Sequence, residues 1–278
     1  MIIANAELKR IISSISGEVN KELKEKASES IEVIEQISSN GLPTPVLSVC
    51  GHGTQEIRFT KYFAYFLDVN QYHGLHDLVL KSAFDPEAIE AGLPEYWYKN
   101  CKVYAEYYLG QVFGVHSYVD ILIKGDGFVL SVEQKLFSSE SNANESDMGQ
   151  LQRYSAALDD NKDFKDLHKV NIYLTPNGKM PENAQGWMAL THEELTRRLL
   201  PLIDKESVSY TAAENLRRLL LDFILGPYKK TAEVIQELEK TATMIAQRKY
   251  PISATGYFIK QIEKHELLMR ILKGGKRP

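Results

Sequence analysis

The sequence has little of what several protein classes require. It contains only two cysteines in 278 residues, Cys50 and Cys101. That number is too small for a disulfide scaffold or a thiolate zinc site, and it fits a reducing compartment. No uncharged apolar run approaches the roughly 18 residues that favour a membrane-spanning helix. The first residues also lack the ordered basic, apolar and small-residue regions of a signal peptide. We therefore expect a cytoplasmic protein that does not contact a membrane.

Positive charge is not in excess either. Lys and Arg number 33 against 37 Asp and Glu, so the formal net charge is −4. This balance excludes a strongly basic coat for nucleic acid, although a local basic groove is compatible with it. The sequence also lacks a Walker loop, a zincin helix, a nucleophile elbow and a Gly-rich dinucleotide turn. With 44% hydrophobic and 25% charged residues, it is otherwise typical of a globular protein.

Apolar periodicity divides the chain into three regions. Residues 1–39 form a highly charged segment with a narrow apolar stripe at helical spacing, which predicts helices that pack on their own domain or on a second copy of the chain. Residues 40–205 alternate β-rich runs with helical patterns and predict an α/β core with a mixed sheet. Residues 206–278 are mainly helical in pattern, and we expect them to pack on the core.

Several elements of the core can be placed from apolar spacing and turn residues. Residues 40–54 contain prolines and glycines that stop helices, so we expect a connection there. Thr54 is the expected N-cap of the next helix. Residues 102–113 fit a helix or a strand equally well. The remaining predicted elements are helices over residues 55–67, 148–158, 191–203 and 211–225, and a strand over residues 170–174.

The strongest local signal is a β-hairpin. A Lys-Gly-Asp-Gly turn, Lys124–Gly127, lies between two β-rich runs, Tyr118–Ile123 and Phe128–Val132. A symmetric turn of these four residues would pair Asp120 with Ser131. Because side chains alternate faces along a strand, Glu133 and Lys135 would share a face with Asp120. Val119 would belong to the opposite, apolar face, which we expect to lie on the core.

Two carboxylates and an ammonium group would thus converge at one end of the hairpin. Two such carboxylates repel each other and raise one pKa, and a divalent cation removes that penalty. A few hard oxygen ligands, with room for water, describe a Mg²⁺ or Mn²⁺ site. A lysine beside the cation can orient a water or balance developing negative charge. These groups suffice for hydrolysis of a phosphodiester. The competing interpretation is a strand end with solvated charges.

The same residues resemble a known family. Asp120, separated by twelve residues from Glu133-Gln134-Lys135, resembles the core of the PD-(D/E)XK nuclease superfamily. Three further segments are similar to those of one prokaryotic branch of this family. They are an opening helix at Gln55–Asp68, a Gln-x-x-x-Tyr helix at Gln150–Tyr154, and a strand with its turn at Tyr173–Gly178. The resemblance covers about residues 54–178. In one difference, Val119 occupies the position where the family often has proline.

The resemblance implies a role for each matching residue. Asp120 and Glu133 would hold a Mg²⁺ ion, for which Mn²⁺ can substitute, and Lys135 would serve the attacking water. Three further residues would support this centre from two helices: Glu56, Gln150 and Tyr154. Glu56 would complete or support the set of residues that binds the metal. Gln150 and Tyr154 lie four residues apart on one helix face, and they would hold Lys135 or the substrate backbone in position.

The resemblance also implies a fold and a function. The fold would be restriction-endonuclease-like, with a mixed sheet flanked by helices. The protein would be a metal-dependent nuclease that hydrolyses DNA by direct attack of water, with a role in phage defence or a mobile element; RNA remains open as a substrate. Arg58 and Arg153 could contact phosphate or could be solvated. The alternatives are a catalytically silent nuclease-fold protein that binds nucleic acid or a protein partner, and a homodimer through the N-terminal segment that is held inactive until a signal arrives.

Overall fold

The part of the chain that can be described is centred on the predicted core. The computed structural model describes residues 45–225, apart from residues 86, 88–91, 113, 137–148 and 182–183, together with residues 267, 268, 270 and 271. The described residues from 45 to 225 belong to one compact unit. The N-terminal helical segment, residues 137–148 and most of the region predicted to be helical after residue 225 lie outside the described residues. The proposed domain boundaries at residues 39 and 205 therefore stay predictions.

Within the described part of the chain, five strands form one mixed sheet in the order β1-β2-β3-β4-β5. The strands are β1, Lys102–Val112; β2, Val115–Gly125; β3, Phe128–Gln134; β4, His168–Thr175; and β5, Trp187–Thr191. The first three pair antiparallel, and β4 and β5 add parallel partners beyond β3. The predicted mixed sheet is confirmed. The ambiguous residues 102–113 contribute an edge strand, and β5 is a strand that the sequence did not predict.

Helices flank this sheet. They are α1, Val46–Val49; α2, Glu56–Leu67; α3, Leu78–Ala83; α4, Gln150–Asp160; α5, His192–Leu199, followed by a 3₁₀ turn at Leu200–Leu202; and α6, Tyr210–Leu225. The four predicted helices are present, with ends shifted by a few residues. Two short helices, α1 and α3, were not predicted. Thr54 is not the N-cap of α2, because Gln55 occupies that position and forms no side-chain cap hydrogen bond. No helix within the described ranges has the length and apolarity that a membrane crossing requires.

Helix α4 packs on one face of the sheet. Its residues join buried side chains of the strands in one cluster: Leu109, Val119, Leu122, Val129, Leu151, Tyr154, Ala157, Leu158, Phe164, Tyr173 and Trp187. The indole of Trp187 donates hydrogen bonds to the Leu151 carbonyl at 3.2 Å and to the Ser155 hydroxyl at 3.0 Å. These bonds fix α4 against β5, so the start of α4 is held at a defined place over the sheet.

Helix α2 is anchored by aromatic side chains. Phe59 and Phe63 are almost fully buried, and their rings lie 4.9 Å and 5.1 Å from that of Phe223 in α6. Burying one such ring contributes about 1.5–3 kcal/mol to stability. The helix also contacts β1 and β2. The first turn of α2 is therefore held in position near the sheet.

The register of the β2–β3 hairpin differs from the predicted one. Strand β2 continues two residues further than predicted, to Gly125, while β3 begins at Phe128 as predicted, so only Asp-Gly remains as the turn. Ser131 consequently pairs with Leu122, and the predicted pairing of Ser131 with Asp120 is wrong. The Asp-Gly pair closes the turn alone, so the preceding Lys and Gly extend the ladder. A shift by an even number of residues preserves the faces, and Asp120 and Glu133 directly follow the Ile121–Val132 pair that ends the ladder.

Strict alternation of side chains fails in the middle of β2. Val119 and Leu122 are three residues apart, yet both belong to the buried cluster beneath α4. In β1, which pairs with this part of β2, Glu106 has a φ of 55°. Residues other than glycine rarely adopt such a value. Val119 is fully buried in the core, as predicted, but the strict alternation that would separate it from Leu122 fails, and the irregularity coincides with the position of Asp120.

Candidate active site

The predicted catalytic residues meet where β2 and β3 separate. The last pair of that ladder is Ile121 with Val132, and Asp120 is the next residue of β2. The backbone N–H of Gln134 donates to Asp120 Oδ2 at 2.7 Å. This bond ties the Asp120 carboxylate to the end of β3, beside Glu133.

Glu133 is the centre of the hydrogen-bond network. Lys135 Nζ lies 2.7 Å from Glu133 Oε1, and Gln150 Nε2 donates to the same oxygen at 2.9 Å. The second oxygen, Oε2, is buried and has no hydrogen-bond partner among the described residues. A buried, unpartnered carboxylate oxygen is costly in the absence of a ligand or a water. Glu133 Oε1 thus accepts hydrogen bonds from two protein donors, and Oε2 is available for a ligand or a water.

The electrostatics of these groups are strongly coupled. Burial raises the pKa of Asp120 well above its usual range, and the charge of Glu133 raises it further. Burial also raises the pKa of Glu133, against the opposing effect of Lys135. For Lys135, burial acts to lower the pKa, but the charge of Glu133 and their hydrogen bond outweigh it, so the pKa is raised. Lys135 is therefore an ammonium ion at neutral pH.

Helix α2 brings Glu56 to the same end of β3. Glu56 Oε1 accepts a hydrogen bond from the backbone N–H of Leu136 at 3.0 Å, and its charge raises the pKa of Glu133. The structure thus places Glu56 beside the site, as the resemblance implied. Its contact is with the backbone, and its role as a metal ligand stays a prediction.

Gln150 and Tyr154 reach the site from α4. Gln150 Nε2 lies 2.6 Å from the Tyr154 hydroxyl, in addition to its bond to Glu133. Burial raises the pKa of Tyr154, and the charge of Glu133 raises it further, so the phenol stays neutral. Gln150 thus links Tyr154 to Glu133, the partner of Lys135, and a role of the two residues in support of Lys135 stays a prediction.

Two of these carboxylates fit a hydrated divalent cation. Among the described residues, no three or more His, Cys, Asp or Glu side chains are arranged as a complete metal-binding group. Mg²⁺, however, is usually bound by only one or two carboxylates and keeps several waters. Asp120 and Glu133 have raised pKa values, which a nearby positive charge would lower. The buried, unpartnered oxygen of Glu133 is a suitable ligand atom.

A further carboxylate, Glu106 of β1, was not predicted from the sequence. Its Oε1 is buried and lacks a hydrogen-bond partner within the described part of the chain, and its charge raises the pKa of Asp120. Burial raises the pKa of Glu106, while the charges of Lys61 and Lys135 lower it. A non-glycine residue at positive φ costs of order 1–3 kcal/mol and often marks a functional site. Glu106 could have been found only from the pairing of β1 with β2.

The two arginines proposed as phosphate contacts differ in exposure. Arg58 is exposed on α2, close in sequence to Glu56. Arg153 lies on α4 with only 6% of its surface exposed, so it is not a surface residue. Contact with nucleic acid stays a prediction for both, and Arg58 is the better placed of the two.

A comparison with protein families agrees with this geometry. A family model for the PD-(D/E)XK nuclease superfamily matches residues 45–224, which is more than half of the chain and includes every site residue discussed above. No curated protein and no solved structure matches the chain.

Proposed function

Since the chain belongs to the PD-(D/E)XK nuclease superfamily, we propose that it is a Mg²⁺-dependent nuclease that hydrolyses DNA. The observation that carries the proposal is the state of Glu133. One of its oxygens is saturated by Lys135 and Gln150, and the other is buried without a described partner beside Asp120. This arrangement is what a carboxylate needs to hold a cation while its own geometry stays fixed.

The residues of the chain would divide the work of hydrolysis. A Mg²⁺ ion held by Asp120 and Glu133 would supply a water of lowered pKa and neutralise charge on the phosphate. Lys135 is already protonated, so the proton of the attacking water would pass to bulk solvent, and the P–O bond to the leaving nucleotide oxygen would break as the bond to the water oxygen forms. Lys135 can donate hydrogen bonds to that water or to a phosphate oxygen that gains charge in the transition state. Gln150 holds Glu133, and the Gln134 N–H holds Asp120.

The finer parts of the proposal rest on the family. These parts are DNA as the substrate, Mn²⁺ as a substitute ion, Glu56 as an additional metal ligand, and a role in phage defence or a mobile element. A cytoplasmic location and a homodimer formed through residues 1–39, which lie outside the described residues, are proposals that rest on the sequence alone. Arg58, exposed on α2, is the proposed phosphate contact that the geometry favours.

A cleavage assay with a charge-matched control tests the proposal. Wild type, Lys135→Ala and Lys205→Ala would be incubated with plasmid, linear duplex and single-stranded DNA, in Mg²⁺, in Mn²⁺ and in EDTA. Lys205 is exposed and distant in sequence from the site, so its variant loses the same charge without loss of the Glu133 partner. We expect metal-dependent cleavage that falls about 100-fold or more in Lys135→Ala alone.

The opposite results would have distinct meanings. Cleavage that persists in EDTA would contradict a metal-dependent mechanism. Binding of DNA by wild type without cleavage in either metal would favour the catalytically silent alternative.

A further inference from the structure

Strands β1 and β2 extend past the rest of the sheet as a two-stranded arm. β2 pairs with β3 only over residues 121–125, whereas its pairing with β1 continues to the Val112–Val115 pair. We call residues 107–112 and 114–119 the arm. Asp120 is the first residue at its base, so the arm begins at the proposed catalytic centre.

The two faces of the arm differ in character. Leu109 and Val119 belong to the buried cluster beneath α4, and Tyr107 packs against that cluster. On the other face, Tyr108 and Tyr118 are 45% and 48% exposed. A two-stranded ribbon alone is marginally stable in water, so the covered face is the one that holds the arm in place. The tyrosines of the open face are not required for that purpose.

The open face carries a small group of rings, which we call the aromatic patch: Tyr108, His116 and Tyr118. The two tyrosine rings lie 4.9 Å apart and are tilted by 38°. The Tyr108 hydroxyl lies 2.9 Å from His116 Nδ1, which limits the rotation of both side chains. The patch is therefore an ordered, exposed surface of π-systems.

The patch is close to the catalytic carboxylates along the strands. Tyr118 precedes Asp120 by two residues in β2, and Tyr108 follows Glu106 by two residues in β1. Two residues of a strand span about 7 Å, a distance that one nucleotide of an extended strand can bridge. A base on the patch would therefore neighbour the phosphate at the metal site.

Positive charge lies beside the base of the arm. Arg58 and Lys61 are both exposed on α2, and their spacing of three residues puts them on one helix face. Helix α2 contacts β1 and β2, so these two cations lie on a helix that adjoins the strands of the arm. A cationic helix face next to exposed rings is the combination that binds single-stranded nucleic acid.

We propose that the aromatic patch stacks an unpaired base of the substrate strand, next to the phosphate that is cleaved. The favoured substrate would then be single-stranded DNA or a frayed duplex end, because the bases of an intact duplex have no free faces. This inference rests on the proposed nuclease function and adds the substrate class to it.

Binding measurements separate the patch from the chemistry. The full chain with Lys135→Ala would serve as the parent, so that DNA stays intact in the presence of Mg²⁺. Oligonucleotides carrying 2-aminopurine at successive positions would report stacking through quenching of fluorescence, with a blunt duplex of the same sequence as the comparison. Tyr118→Ala removes one ring, and Tyr118→Phe keeps it. Tyr210→Ala is the matched control, since Tyr210 is also 48% exposed and lies at the start of α6.

We expect Tyr118→Ala to weaken single-strand binding at least about fivefold and to abolish the quenching at one position. Tyr118→Phe and Tyr210→Ala should bind like the parent, and duplex binding should be unchanged in all three. Equal single-strand affinity of Tyr118→Ala and its parent would overturn the inference, and so would an equal loss for duplex. Thermal unfolding of each variant establishes that the fold is retained.

The two proposals fail separately. Patch-dependent quenching in a chain that does not cleave DNA in Mg²⁺ or Mn²⁺ would reject the hydrolysis and keep the patch. Metal-dependent cleavage without patch-dependent binding would reject the patch and keep the hydrolysis.

Discussion

Lys135 and Glu133 form a buried ion pair, with 2.7 Å between Nζ and Oε1 and only 7% and 2% of the two side chains exposed. They are two residues apart at the end of β3, so they leave the strand on the same side. The pair also lies next to Asp120, whose charge raises the pKa of Lys135. One ammonium group therefore faces two carboxylates, and ionisation of both would leave an excess of negative charge at this point.

The first prediction concerns stability without metal. Lys135→Met leaves Glu133 and Asp120 buried without their cation, and breaking such a pair costs about 3–5 kcal/mol. Replacing both partners, as in Lys135→Met with Glu133→Leu, should recover most of that loss, because no unpaired charge remains at the pair. Urea unfolding in EDTA at about pH 8 measures both values. A double variant that is no more stable than the single one would show that the ion pair is not what limits stability here.

The second prediction concerns cation binding. Asp120→Asn should weaken the binding of Mn²⁺ and Mg²⁺ at least about tenfold in titration calorimetry, because it removes one of two charged ligands. Asp126→Asn is the control, since Asp126 is an exposed residue of the turn at the far end of the same hairpin. Burial and Glu133 raise the pKa of Asp120, so protons compete with the cation. Binding should therefore release protons and weaken as the pH falls through the raised pKa.

An unchanged affinity in Asp120→Asn would contradict the proposed ligand set. Equal loss in the Asp126→Asn control would point to an effect of net charge and not of the site.

The third prediction concerns the strained residue of β1. Glu106→Gln removes the charge but keeps the backbone at a φ of 55°, whereas Glu106→Gly removes the charge and the steric cost of that φ. We expect both to weaken Mn²⁺ binding, because each removes a negative charge that acts on Asp120. Only Glu106→Gly should also gain stability, by about 0.5–1 kcal/mol relative to Glu106→Gln. Paired calorimetry and urea unfolding measure the two effects. Equal stability of the two variants would show that the backbone of Glu106 is not strained.

The part of the site that could be predicted from the sequence is the part whose residues lie close together along the chain. Asp120, Glu133 and Lys135 lie on one hairpin, so alternation along two strands was enough to bring them together, even with a register wrong by two residues. The turn length was the weak step, since an Asp-Gly pair suits both a two-residue turn and the centre of a longer one. The break in alternation between Val119 and Leu122 was missed because the irregularity opposite Glu106 has no marker such as glycine in the sequence.

Other parts of the site depend on contacts between distant segments. Glu56 meets the backbone of Leu136 across 80 positions of sequence, and only the resemblance to the family connected the two. Glu106 reaches Asp120 through the β1–β2 pairing, and β1 carried no clear preference for strand over helix. The aromatic patch depends on where β2 leaves β3, which follows from the register and not from any residue of the patch.

The last prediction concerns Asp222 of α6, which is remote in sequence from the catalytic residues. Its carboxylate accepts hydrogen bonds from the backbone N–H groups of Val46 and Leu47, and burial raises its pKa to about 7. Its Oδ2 finds no hydrogen-bond partner in the described ranges. Asp222 is thus an acid whose charged form is disfavoured by folding.

The raised pKa determines how stability depends on pH. Below the unfolded pKa of about 3.9 the carboxyl is protonated in both states and carries no penalty. Between that value and about 7, the unfolded chain ionises while the folded chain keeps its proton, so this group lowers stability as the pH rises. The loss is complete above about 7 and amounts to at most about 4 kcal/mol. Asp222→Asn cannot ionise, and its free energy of unfolding should lack this decline. Urea unfolding of wild type, Asp222→Asn and the exposed control Asp126→Asn between about pH 4 and pH 8 measures it. Parallel curves for wild type and Asp222→Asn would show that Asp222 ionises equally in the folded and unfolded states, and that its bonds to α1 offset its burial.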